Sequence, residues 1–140
     1  MAHPMIEKAL EGLEAIRMIR DPDAGQGGKY VFPDEAASRL YYALYHACWA
    51  FLQSKDVPFD GNPDYEGESN FYAHKHLAEK LRGFPAFEGV VGPKWQSLIK
   101  AAQRARVQAD YRPDPVESWR VERIDEKVEL AIRTLANLPV

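Results

Sequence analysis

Cysteine is almost absent from this chain: Cys48 stands alone among 140 residues, so no intrachain disulfide can form and a reducing compartment is the natural setting. No apolar run approaches the roughly 20 residues needed to cross a bilayer, and Met1 to Leu10 lacks the charged-then-apolar pattern of a secretory leader. A cytoplasmic protein with no membrane contact is the expectation. Period-two alternation is nowhere sustained, so no strand is expected. Internal repeats, low-complexity tracts and a convincing domain boundary are missing as well, and residues 1–140 read as a single domain long enough to bury a core. Metal-ligand spacing is also lacking. His74 and His76 are two apart, as are His46 and Cys48, and such pairs on a helix point to different sides, whereas ligand pairs want spacings of three or four. No metal and no cofactor is expected. Cys48 has no cation expected beside it to lower its pKa, so it reads as a packing residue rather than a nucleophile. Gly27-Gly28-Lys29 resembles a phosphate-binding loop only superficially, with Asp23 where that motif needs its first Gly and Tyr30 where it needs Ser or Thr.

What is present is ordinary globular material, 46% hydrophobic and 28% charged, patterned as about five helices in an all-α bundle. The first helix is expected from Pro4 to about Arg20, carried by Ile6, Leu10, Leu13, Ile16 and Ile19 at helical spacing. A loop over Asp21 to Pro33 follows, then a second helix from Asp34 to Ser54. Val57 to Glu68 is rich in Pro, Gly, Asp and Asn and reads as a long loop. Ser69 is the expected N-cap of a third helix ending before Gly83. A fourth helix runs from after Pro93 to Tyr111. The fifth is expected to open with Asp114 as N-cap, Pro115 at the first helical position and Glu117 three residues after the cap.

Net charge is −3, but between His74 and Arg112 eight basic residues face three acidic ones, a local balance of +5 that leaves −8 for the rest. This asymmetry suggests one positive face able to meet phosphates. A solvated charged surface explains it equally well.

Two helices carry unusual faces. On the second, Leu40, Leu44, Ala47 and Phe51 share a sector of about 60° at 100° per residue, while Arg39, Tyr42, His46 and Trp49 cluster opposite, where a surface helix should be polar. Cover on both sides is therefore expected, and a symmetric dimer would supply it. On the fourth helix Trp95, Leu98, Ile99, Ala102 and Ala109 form the inward stripe, with Arg106 in its middle and Arg104 pointing the opposite way. A guanidinium on an apolar face needs a partner. Asp110, four residues on, is in reach. The two form a buried ion pair that fixes packing, or Arg106 lines a cleft where its planar fork meets phosphate.

These same two helices carry a family resemblance. Ser38-Arg39-Leu40-Tyr41-Tyr42-Ala43-Leu44-Tyr45-His46-Ala47 resembles the second-helix signature of the HEPN domains (higher eukaryotes and prokaryotes nucleotide-binding), in particular their small stand-alone prokaryotic branch. Arg106-Val107-Gln108-Ala109-Asp110-Tyr111 is similar to that branch's fourth-helix signature, and His74 falls where the branch often has a histidine. The resemblance covers most of the chain. It implies a helical bundle that dimerises with its arginine motifs facing across a cleft. Many members are metal-independent ribonucleases in which an Arg, then four to six residues and then a His, promote attack of the ribose 2′-OH on the adjacent phosphate. Others are toxins controlled by a partner nucleotidyltransferase, and some are non-catalytic binding modules.

This chain departs from the active pattern, for Tyr111 stands five residues after Arg106 and no histidine follows His76. Arg106, Tyr111 and His46 are the catalytic candidates that remain, with Arg39, Asp110 and Tyr42 as binding candidates. Tyr111, with a reference pKa near 10, can donate a proton but is a poor base at neutral pH. Two functions stay open. One is a metal-independent endoribonuclease or RNA- and nucleotide-binding protein of a toxin–antitoxin or defence module. The other is a non-catalytic module that binds a nucleotide or a partner protein such as a nucleotidyltransferase antitoxin.

Overall fold

The computed structural model describes residues 3–18, 32–60 and 72–137. Six α-helices are found among them: α1 (Pro4–Met18), α2 (Pro33–Ser54), α3 (Leu77–Arg82), α4 (Pro85–Val91), α5 (Trp95–Tyr111) and α6 (Ser118–Ala136), with a 3₁₀ turn at His74–His76 leading into α3. No strand occurs among the described residues, and no helix there is long and apolar enough to cross a membrane.

α2 is the central element, packed against α1, α5 and α6. Its Ala36, Leu40, Ala43, Leu44, Ala47 and Phe51 are all buried, as the helical wheel requires. α1 crosses it at Gly12, where an added Cβ would stand 3.3 Å from that of Ala43. That close approach explains a glycine within a helix, where it costs about 1 kcal/mol relative to Ala. α2 ends in a Schellman motif: Asp56 N–H donates to Gln53 O at 3.0 Å and Val57 N–H to Leu52 O at 3.1 Å, with Asp56 at φ +57° in the left-handed position a short polar side chain tolerates. The chain is thereby turned back along the outer side of α2. Asp60 then anchors the next segment, accepting Ala73 N–H at 2.8 Å and pairing with Lys80 at 3.2 Å.

Three sequence expectations need correction. The third helix does not begin at Ser69, which lies outside the described residues. Tyr72 and Ala73 are non-helical and the turn starts at His74, because Asp60 holds the Ala73 N–H. The fifth helix, now α6, starts at Ser118 with Glu117 at its cap and not at Asp114. Tertiary partners outcompete the local capping box there: Val116 N–H donates to Asp34 Oδ1 of α2 at 2.8 Å, and the Gln108 amide donates to the carbonyls of Asp114 and Pro115. The third correction is α4, an unforeseen helix. Its seven residues are too few to be stable alone. Phe87, buried against Phe51 (5.0 Å) and Trp95 (5.2 Å), fixes it in place.

Candidate functional site

The outer face of α2 meets the last two turns of α5 and the 72–76 segment. Arg106 enters from α5 with its side chain 15% exposed. Its guanidinium lies over the rings of Tyr42 (5.3 Å), Tyr41 (5.6 Å) and Tyr111 (5.8 Å). Nη2 donates to the Tyr42 hydroxyl at 3.0 Å, and Nε stands 3.3 Å from Asp110 Oδ2. That last approach lacks hydrogen-bond geometry, so the buried Nε proton has no partner in line with it. Ring faces and one carboxylate thus replace the water Arg106 has lost. Cation–π contacts of this partly desolvated kind contribute about 1–2 kcal/mol.

His74 joins from the 3₁₀ turn. Its Nδ1 is 2.6 Å from the Tyr41 hydroxyl and its ring stacks on Tyr45 at 4.2 Å. Burial pushes the Tyr41 phenol well above its ordinary range, against the opposing pull of Arg106, and pushes Tyr45 up to about 12. The pKa of His74 is lowered by burial and then by the Arg106 charge. With Tyr41 protonated and His74 neutral, the phenol donates to Nδ1 and the ring proton sits on Nε2. The result is a neutral N–H donor beside a cation, which suits hydrogen bonding to an anion but leaves Nδ1 occupied and unable to serve as a base.

The sequence-based candidates divide. Arg106, Asp110, Tyr111 and Tyr42 are brought together. Tyr111 is 69% exposed and open to a ligand. His46 reaches the cluster through ring contacts with Tyr42 (6.4 Å) and Tyr45 (5.7 Å). Burial first, and then the Lys8 charge and the neighbouring His74 ring, lower its pKa to about 4, so it is neutral and a weak base at neutral pH. Arg39 is not drawn in, because its guanidinium binds Glu35 one turn earlier at 2.9 Å. Trp49 finds cover within the chain, against Tyr72 (5.3 Å) and Phe59 (5.4 Å), so this face is hidden more fully than the wheel alone implies. Cys48 is fully buried, its thiol pushed up to about 12 by burial.

Tyr41 and His74 are the members that sequence reasoning left out of the site. His74 had one usable signal, its place in the family resemblance. Tyr41 had its place in the Tyr41-Tyr42-Ala43 motif, but its wheel position does not reveal that a distant loop delivers a histidine to its hydroxyl. Five of the eight cations of the basic stretch are spread over separate places. Lys80 is spent on Asp60, Arg106 enters the cluster, Lys94 lines a trough beside α6, and Arg104 and Arg112 line a hollow with Gln108 and Asp114. Helix phase scatters them. Among the described residues, no three His, Cys, Asp or Glu side chains gather where a metal could be held. No family model, curated protein or solved structure matches the chain.

Proposed function

We propose that this chain is a HEPN-like domain that binds RNA or nucleotide phosphate through Arg106, within a toxin–antitoxin or defence-type module. The carrying observation is the Arg106 guanidinium, caged by three tyrosines and one carboxylate, beside a neutral histidine poised as a donor. A phosphate displacing Asp110 would meet the guanidinium fork, the His74 Nε2–H and the exposed Tyr111 hydroxyl, three donors of complementary kind. A homodimer with two such clusters facing one cleft, and a nucleotidyltransferase antitoxin as partner, complete the reading. Its sequence support is the pair of motifs around Tyr41-Tyr42-Ala43 and Ala109-Asp110-Tyr111.

Metal-independent cleavage is a second reading, favoured by Tyr111, whose exposed ring lies over Arg106. Cleavage by the 2′-OH would leave a 2′,3′-cyclic phosphate in the presence of EDTA. Loss of a proton-transfer group typically costs about 10²- to 10⁴-fold, so the double substitution His46→Ala with Tyr111→Phe should slow cutting by at least that lower amount.

The binding test uses anisotropy of a fluorescein-labelled mixed-sequence RNA and of a labelled nucleotide. Arg106→Ala should abolish binding, Arg106→Lys should weaken it, and Arg104→Ala should leave it near wild type. If folded wild type binds neither probe, the phosphate reading fails. Sedimentation at tens of micromolar should give twice the chain mass, and a monomer there would remove the two-cluster cleft.

A further inference from the structure

On a part of the molecule that shares no residue with the arginine cluster, α4, α5 and α6 frame a trough of about 810 Å³. Its floor is apolar, built from Val91, Trp95, Leu98, Ile124 and Ala131. Two large side chains on its α6 side, Trp119 and Leu130, are 53% and 69% exposed. Contiguous apolar surface of this kind usually marks a contact site. The rim is of one sign. Lys94 stands on one side and Arg120, Arg123 and Lys127 on the other, with no Asp or Glu in the lining. Arg120 gives one donor to Gln108 and Arg123 lies over the Trp119 ring at 5.5 Å, but among the described residues none of the four cations has an ion pair.

We propose that this trough docks an acidic amphipathic helix of a partner protein. Arg120, Arg123 and Lys127 are spaced three and four apart, so they form a single stripe along α6. A stripe repeating each turn is matched by carboxylates repeating each turn, whereas a single headgroup would engage one cation and leave the others idle. From Trp119 to Thr134 the α6 wall extends about 22 Å at 1.5 Å per residue, the length of a helix of about 15 residues. The openness of the trough favours a helix over an acyl chain, since a helix returns its own polar face to water and an acyl chain would stay wet along one side. A second copy related by a two-fold axis through α6 would set cation stripe against cation stripe. The recognition is therefore that of a helix in a groove, with apolar anchors at helical spacing and acidic flanks.

The probe is a fluorescein-labelled peptide of about 15 residues with Leu at the i, i+3, i+4 and i+7 positions and Glu on both flanks, paired with a control carrying Lys for every Glu. Wild type should bind the Glu peptide in anisotropy titrations and ignore the Lys peptide. The double substitution Arg123→Glu with Lys127→Glu should weaken the Glu peptide by about tenfold or more and gain affinity for the Lys peptide. Leu130→Asp should weaken it too, and Arg106→Ala should bind it as wild type does, which separates this site from the phosphate reading. All the trough substitutions fall on exposed side chains, and circular dichroism checks that each variant is folded. The proposal is overturned if wild type fails to bind the Glu peptide at millimolar concentration, or if it binds both peptides alike. It is equally overturned if sodium oleate binds at the trough more tightly than the peptide, or if Leu130→Asp halves the mass of a wild-type dimer, because the occupant is then a lipid or a second copy.

Discussion

The arginine cluster and the α5–α6 trough use the same residue types in opposite ways. In the first, Arg106 is 85% withdrawn from solvent and surrounded by Tyr41, Tyr42, Tyr111 and Asp110. In the second, Arg120, Arg123 and Lys127 rim an apolar surface with Trp119 and Leu130 in water. A cation whose surroundings come from its own chain is tied to the fold, and any ligand must displace something to reach it. A cation without a counter-ion adds little to the fold and is available to a partner. Substitutions in the cluster should therefore cost stability and function together, while those in the trough should cost binding alone.

The sharpest test of that contrast compares two aromatics. Tyr41 is 2% exposed, and Tyr41→Ala should destabilise by about 3–5 kcal/mol through the cavity it leaves. Trp119→Ala should stay within about 0.5 kcal/mol in denaturant titrations, as exposed substitutions usually do. Similar costs for the two would erase the distinction. Next come the two arginines. Arg106→Ala should cost about 2 kcal/mol, since it removes the ring contacts and leaves Asp110 without its partner. In calorimetry this corresponds to a Tm lowered by roughly 6–10 °C, against a negligible shift for Arg123→Ala.

The smallest effect separates the regions by pH. His46 and His74 both have lowered pKa values in the fold, by burial first, and both stay neutral where the unfolded chain becomes protonated. Their contribution is present above the unfolded value near 6.5 and is lost as pH falls below it, for His46 down to about 4. Allowing for the partial exposure of both rings, acidification across that window should remove about 1–2 kcal/mol. His46→Gln should flatten the slope, and Arg123→Glu with Lys127→Glu should not. An unchanged slope in His46→Gln would mean that the ring is hydrated in the fold.

The difference between the regions was only partly readable beforehand. The wheel correctly turned Arg106 inward and Arg104 outward, because an α-helix of 17 residues imposes its phase on every side chain it carries. The trough was not foreseen. Its walls are two separate helices and a third, α4, too short to be recognised by periodicity.

Hydrophobic spacing and prolines sufficed to determine that the described residues fold as helices, the positions of α1, α2 and α5, and the inward Arg106, for these depend on local geometry repeated over several turns. Tertiary structure alone decided that α6 starts at Ser118, that α4 exists and that His74 meets Tyr41. The physical reason is the same in each case. A helix end, a seven-residue helix or a loop histidine gains too little from its neighbours in sequence to choose its own state, so the choice passes to partners far along the chain: Asp34 for Val116, Phe51 for Phe87 and Asp60 for Ala73.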